Sequence, residues 1–300
     1  MEERYPVERD IAMFNLHYTQ MSIYADTVGL RTPEAVVKGA LYSKHNRFLG
    51  QEYLLNFRTD NNYIGFSSGV FRFFETDAAL TAVNRNLEEE LNDVIPFPTP
   101  KKIKASFSSV ISSRRSVRQF NKQKISKQEL GDILYYAQGI SGSVQAVNIP
   151  VEKNTIELRN APSGGGLYPI YLYMLILNAE GIKKGIYKYY PYSHSLKPVR
   201  LDFNIDKCRE LAQFGNINGE DCSVYIFYVY DFYVNSRKYG DGAMMYAAIE
   251  TGEIAQNIQL TSTALGYGSC DIGGYDKQFC EEVLKLDGIN RHVIHMTIIG

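Results

Sequence analysis

"APSGGGLYPIYLYMLIL", Ala161–Leu177, sets three consecutive glycines directly before a run of strand-forming apolar residues. The run "IYLYMLIL" is continuous rather than alternating, the pattern of a strand buried on both faces. The glycines leave backbone N–H groups bare and permit positive φ, so a planar ligand can approach the main chain closely. A dinucleotide fingerprint has the opposite order, with GxGxxG following a strand and opening a helix, and a P-loop would need GK[ST]. Taken alone, a flexible turn explains the glycines as well as a ligand does.

The flanking segments read as an α+β protein. Upstream, "ISKQELGDILYYAQG" predicts a helix with Ser126 as N-cap and Glu129 at N3, a capping box. Ile125 and Leu130 supply a hydrophobic staple, Gly139 closes the end, and Leu130, Ile133, Leu134 and Ala137 form one buried face. Downstream, "GIYKYYPYSHSLKPV" reads as a hairpin and "SVYIFYVYDF" as a second buried strand. A long, mostly apolar helix is expected from about residue 242 to 265, then a short helix in "KQFCEEVLKL" and a closing strand in "HVIHMTII". Strands and helices interleave without a strict βαβ rhythm. Nearer the start, "TPEAVVKGALY" and "TDAALTAVNRNLEEELNDV" predict helices, the first with Thr32 as N-cap and Pro33 at N1. "NDVIPFPTPKK" reads as a proline-rich linker, which places a boundary near residue 95.

Composition excludes several classes. The chain has 300 residues, is 45% hydrophobic and carries a net charge of −1, so it can build a sizeable core but has no global field favouring nucleic acid or an anionic membrane. No run approaches the ~18 apolar residues of a spanning helix. The charged start "MEERYPVERD" lacks the apolar core of a signal peptide, so a cytoplasmic location is expected. Cys208, Cys222, Cys270 and Cys280 show no CxxC spacing. His292 and His295 read as ordinary strand histidines, and no metal is assigned.

Three further stretches carry chemistry. "RRSVRQF", Arg114–Phe120, gathers three guanidinium forks and a hydroxyl that suit an anion, though a solvated basic helix end is the usual fate of such a cluster. "ALGYGSCDIGGYD", Ala264–Asp276, offers exposed amides at Gly273 and Gly274, where an ordinary hairpin is the plainer expectation. "RKYGDGAMMYAAIETGEIAQN", Arg237–Asn257, places Lys238 and Tyr239 at the mouth of the long apolar helix. That helix carries Glu250, Gln256 and Asn257, which need partners if buried.

The order of these pieces resembles the nitroreductase-like FMN oxidoreductases over about residues 95 to 300, and within them the SagB/McbC-type azoline oxidases. The resemblance implies a central mixed or antiparallel sheet flanked by helices, and a homodimer with FMN at its interface. "RRSVRQF" is similar to the superfamily's opening motif, which implies Arg114, Arg115 and Ser116 around the FMN phosphate and ribityl chain and Arg118 near the flavin's polar edge. "PSGGGLYP" stands where ordinary nitroreductases carry a Pro-Ser-x-x-Asn type segment, implying Pro162, Ser163, Gly164 and Gly165 at the cofactor. "DIGGYD" matches the position whose amides face flavin N5, implying Gly273 and Gly274. In that subgroup a Lys-Tyr pair is catalytic, which falls here on Lys238 and Tyr239, with Glu250, Gly252, Gln256 and Asn257 holding the helix pattern.

The implied activity is oxidation of thiazoline or oxazoline rings in a ribosomally made precursor peptide, alongside a cyclodehydratase complex. Two departures stand out. "GDGAMMY" replaces an Arg-Gly-Tyr-Arg-like run after Lys-Tyr, and the chain stops at "TIIG" without the basic phosphate contact of many nitroreductases. A general NAD(P)H-dependent nitroreductase or flavin reductase, and a catalytically inactive flavin-binding scaffold, are the competing readings. Residues 1–94 are expected to be a mainly helical extension serving peptide recruitment or dimer packing.

Overall fold

A computed structural model describes residues 84–85, 87–145, 155–207, 211 and 216–300, together with Tyr53. The chain divides into two compact units, Met1–Tyr63 and Ile64–Gly300, and every described residue except Tyr53 lies in the second. The expected helix in "TPEAVVKGALY" falls outside the described residues, as do residues 76–83 and 86 of "TDAALTAVNRNLEEELNDV", whose residues 84–85 and 87–89 are helical as expected.

The central sheet uses β1 (Ile95–Pro96), β4 (Ile170–Ile176), β5 (Gly185–Tyr190), β6 (Ser195–Arg200), β7 (Val224–Asp231), β8 (Ser269–Ile272) and β9 (Arg291–Ile299). Their order is β1-β6-β5-β4-β7-β9-β8, and every pairing is antiparallel. A separate hairpin joins β2 (Ile140–Gln145) to β3 (Thr155–Arg159). Among the described residues, the helices with both ends defined are α1 (Phe107–Ser113), α2 (Lys127–Gln138), α3 (Phe232–Tyr239), α4 (Ala243–Ala264) and α5 (Lys277–Val283). The architecture is α+β, an antiparallel sheet flanked by helices. No described helix is long and apolar enough to cross a membrane.

Strand alternation divides the core into two layers. Ile170, Leu172, Met174 and Ile176 of β4 pack with Leu130, Ile133 and Leu134 of α2 and Ile254 and Ile258 of α4. Tyr173 and Leu175 point the other way, onto Cys280, Val283 and Leu284 at α5. Because both faces of β4 and β7 are covered, their sequences read as continuous apolar runs. The capping box forms as expected, with Ser126 Oγ accepting from Glu129 N at 3.1 Å and the Glu129 carboxylate accepting from Ser126 N at 3.3 Å. Gly139 caps α2 in an extended conformation at φ −67°. Its missing side chain leaves room for Tyr135, whose ring an added Cβ would strike.

Three expectations change. Ile95 and Pro96 are not linker but an edge strand paired with Leu196 and Ser195, and proline is tolerated there because an edge need not donate on its free side. Lys238 and Tyr239 do not open the long helix. They close a separate helix, α3, which Gly240 terminates at φ +54° before α4 begins. Gly273 and Gly274 lie not in a hairpin but between β8 and α5.

Candidate functional site

The glycine run forms a tight turn between β3 and β4, with Gly165 at φ +66° and Gly166 at φ +67°. Gly166 N donates to Ser163 O at 3.0 Å, and Tyr168 N donates to Ser163 Oγ at 2.9 Å. Tyr168 itself holds a left-handed φ of +52°, a costly conformation for an aromatic residue. Its surroundings fix it there: the Tyr168 hydroxyl accepts from Arg159 N at 3.0 Å, and the Arg159 guanidinium stacks 4.4 Å from the ring.

This turn meets the Lys-Tyr pair. A Cβ built on Gly165 would sit 2.5 Å from Tyr239 Oη and 2.6 Å from Lys238 Nζ, so both polar ends converge over one glycine. Lys238 Nζ lies 5.3 Å from the Tyr239 ring centroid, within cation–π range. Tyr246, one turn into α4, packs edge-on against Tyr239 with centroids 4.8 Å apart and also borders Gly164. The kink at Gly240 is what lets α3 deliver its last residues over a loop that α4 supports from below.

Glu250 is the buried acid of this cluster, 2% exposed, with no hydrogen-bond partner for Oε1 among the described residues. Burial pushes its carboxyl up to about 7, against a hydrogen bond from the Ser163 side chain and the charge of Arg159. Pro162 is exposed beside Ser163. On α4, Gly252 and Gln256 are exposed and Asn257 is half-buried, so the polar pair does not share the buried face.

The other predicted residues form a second cluster around Asp271. Arg114 Nη1 donates to Gln259 Oε1 at 3.2 Å, and Gln259 Nε2 donates to Asp271 Oδ2 at 2.5 Å. Thr297 Oγ1 donates to Asp271 Oδ1 at 2.6 Å, and His295 Nε2 stands 3.4 Å from the same oxygen. Burial alone would raise the Asp271 carboxyl, but these hydrogen bonds hold it below the usual range. The network fixes β8, whose next residues are Ile272, Gly273 and Gly274. An added Cβ on Gly273 would meet no heavy atom of the described residues within 4 Å.

Arg115 and Arg118 are exposed, as is Ser116, and Arg114 is half-buried. The Arg115 guanidinium turns back onto Ser112 O and Arg114 O at the end of α1. Ser116 bridges to Ser269, and Val117 N donates to Ser269 O at 2.9 Å, so the arginine segment lies along the start of β8.

The sequence reading missed Arg159, Tyr246, Gln259 and Asp271. Asp271 stood inside the "DIGGYD" motif, and Gln259 was a polar residue on an apolar helix, so each left a weak mark. Arg159 and Tyr246 left none, because their importance comes from stacking across elements.

The family model for the nitroreductase family matches residues 111–300. A protein of Methanocaldococcus jannaschii named as a nitroreductase is 26% identical over 196 residues, covering 65% of this chain and 92% of its own length. The microcin B17-processing protein McbC of Escherichia coli is 28% identical over 139 residues, covering 43% of this chain and 49% of McbC. Among solved structures, a chain of the E. coli microcin synthetase McbBCD complex with truncated pro-MccB17 superposes at a TM-score of 0.52 with 22% identity, covering 86% of this chain and 98% of that one. A nitroreductase structure from Anabaena variabilis gives a TM-score of 0.56 with 23% identity over 69% of this chain and 41% of that one. These structural likenesses describe the fold, and the family match spans most of the chain: this protein belongs to the nitroreductase family, a family of oxidoreductases.

Proposed function

We propose that this protein is an FMN-dependent dehydrogenase that converts thiazoline or oxazoline rings of a ribosomally made peptide to thiazoles or oxazoles. The observation that carries this reading is the convergence of Lys238 Nζ and Tyr239 Oη over Gly165. A phenol, an ammonium and a side-chain-free backbone at one point form a device for taking a proton from a carbon acid. The likeness to McbC, a microcin-processing protein, supports a peptide as the substrate.

The residues present fit FMN. The exposed groups of Arg115, Ser116 and Arg118, with Arg114 behind them, suit one phosphate ester, and the unobstructed surface at Gly273 leaves its backbone open to a ring. Pro162, Ser163, Gly164, Gly165 and Gly274 complete the proposed cofactor contacts. When bound, FMN supplies the two-electron acceptor for the hydride that leaves the ring's β-carbon.

The chain's own residues handle the accompanying proton. Tyr239 Oη accepts the α-proton of the azoline, and the Lys238 ammonium stabilises the phenolate that this requires. Glu250 and Ser163 hold the turn beneath the pair. The ring loses one proton and one hydride, two hydrogens in all. On α4, Met244 and Ile249 are each 52% exposed and share a stripe with Ala248 and Gly252, which is the surface we assign to homodimer packing. A cyclodehydratase that makes azolines is the enzyme expected to hand over the substrate.

The direct test incubates the purified flavin-loaded protein with an azoline peptide and follows mass. Loss of two hydrogens per ring is the expected result. Turnover of NAD(P)H with a nitroaromatic, and none of the azoline peptide, would replace this reading with a general nitroreductase.

A further inference from the structure

The sheet face opposite α2 and α4 carries charge that the candidate site does not use. Register aligns Tyr173 of β4 with Lys188 of β5, and Lys188 with Lys197 of β6, so three side chains stand in a row across three strands. Lys188 and Lys197 are like charges directly opposite each other, a pairing that normally destabilises a sheet. Arg291 and Lys285 join them around a cleft of ≈ 310 Å³ whose remaining walls include Tyr190 and Leu284. None of the described lining residues is a carboxylate.

The neighbourhood offsets this charge only in part. Lys188 Nζ lies 4.3 Å from the Tyr171 ring centroid, 4.9 Å from Tyr190 and 5.8 Å from Tyr173, a three-sided aromatic cage. Arg291 Nε bonds Asp231 Oδ2 at 3.0 Å, which neutralises one of the four cations. Lys285 Nζ donates to the Val199 carbonyl at 3.4 Å, and its charge also reaches the exposed Asp202 carboxylate. Burial, and then the charge of Arg291, push the Lys188 ammonium down to about 8, although Glu88 and Asp231 oppose the shift. Three lysines and an arginine already paired with Asp231, around a small, ring-walled cleft, leave a net positive receptor for negative charge. The volume lies at the low end of small-molecule pockets.

We propose that this cleft binds a small organic anion, a phosphate or carboxylate head on a ring-sized body. Lys188, Lys197 and Lys285 hold the head, and Tyr173, Tyr190 and the aliphatic wall hold the body. None of these residues belongs to the candidate site around Gly165, and the proposal stands whatever that site oxidises.

The test uses the full chain with saturating FMN, so that a flavin-phosphate site is already filled. Phenyl phosphate, benzoate, inorganic phosphate and uncharged phenol are titrated separately by calorimetry. Saturable binding of phenyl phosphate or benzoate, at least about tenfold tighter than inorganic phosphate or phenol, is expected, and the tighter of the two identifies the head group. Lys197→Met and Lys285→Met should each weaken that binding about tenfold. Because Lys197→Met relieves a like-charge pair, its melting temperature should equal or exceed that of the wild type. Absence of saturable binding by either aromatic anion, or undiminished binding in both variants, overturns the proposal.

Discussion

At Gly165 an added methyl group would strike the Tyr239 hydroxyl at 2.5 Å and the Lys238 ammonium at 2.6 Å, whereas at Gly273 it would meet no heavy atom of the described residues within 4 Å. Both glycines sit in short loops at strand ends, one before β4 and one after β8, and in sequence they look interchangeable. In the first loop the protein itself fills the space that the glycine leaves, using a cation and a phenol from α3. In the second no described side chain takes that space. Under the function proposed above, the two similar motifs would have separate duties: the first loop would position the Lys238–Tyr239 pair, and the second would present its backbone to the flavin.

The strongest challenge to this contrast is removal of the pair. Lys238→Ala and Tyr239→Phe should retain flavin yet slow single-turnover flavin reduction by an azoline peptide by about 10²–10⁴, the usual worth of general-base help. The double variant should lose little more than either single one if the two act as a unit. Normal reduction rates in both single variants would show that the pair only ends a helix.

The support beneath the first loop is tested by pH. Glu250 titrates near 7 in the folded chain and at 4.5 when unfolded, so the folded state binds the extra proton between those values. Its contribution to stability is therefore complete below pH 4.5 and lost as pH rises through 7, a change of about 3 kcal/mol. Glu250→Gln should flatten that part of the stability curve, gaining on the wild type as pH rises from 5 to 8 in urea titrations. Parallel curves for the two proteins would place the titrating group elsewhere.

Gly165→Ala should combine left-handed strain of about 1–2 kcal/mol with displacement of the pair. The readout is a fall in flavin reduction rate at near-wild-type flavin content, measured by absorbance. Gly273→Ala should be the mildest change, shifting stability by less than about 0.5 kcal/mol while weakening flavin retention. If Gly273→Ala destabilised the fold as much as Gly165→Ala, the two loops would not differ as described.

Much of this arrangement could be read from the sequence, for physical reasons. The capping box at Ser126 and Glu129, the buried runs of β4 and β7, and the extent of α4 follow from local rules of capping and periodicity. The helix α3 was hidden because "FYVNSRKY" is short, rich in strand-favouring residues and directly continues the β7 run, although the long helix was expected to start only at about residue 242. The positive φ of Gly240 turns the chain between α3 and α4. Ile95 and Pro96 were obscured by the prolines at 96, 98 and 100, since edge pairing depends on a partner strand about a hundred residues away. The Arg114–Gln259–Asp271 chain joins three distant segments, and no spacing rule connects them.

One topological detail bears on how the molecule acquires its chemistry. Lys238, Tyr239, Glu250, Gln259, Asp271 and Gly273 all lie in residues 232–290, a single excursion between two strands that pair with each other, β7 and β9. The excursion is clasped at its base, where Asp231 pairs with Arg291 and Phe232 N donates to Asn290 O at 2.9 Å. Closing so long a loop has an entropic cost before any contact within it can offset that cost. We therefore expect the β4–β5–β6 meander to gain structure first and the reactive pair to assemble late, with the joining of β9. Pulsed hydrogen exchange during refolding should protect β5 amides before those of α3, and the reverse order would refute this sequence of events.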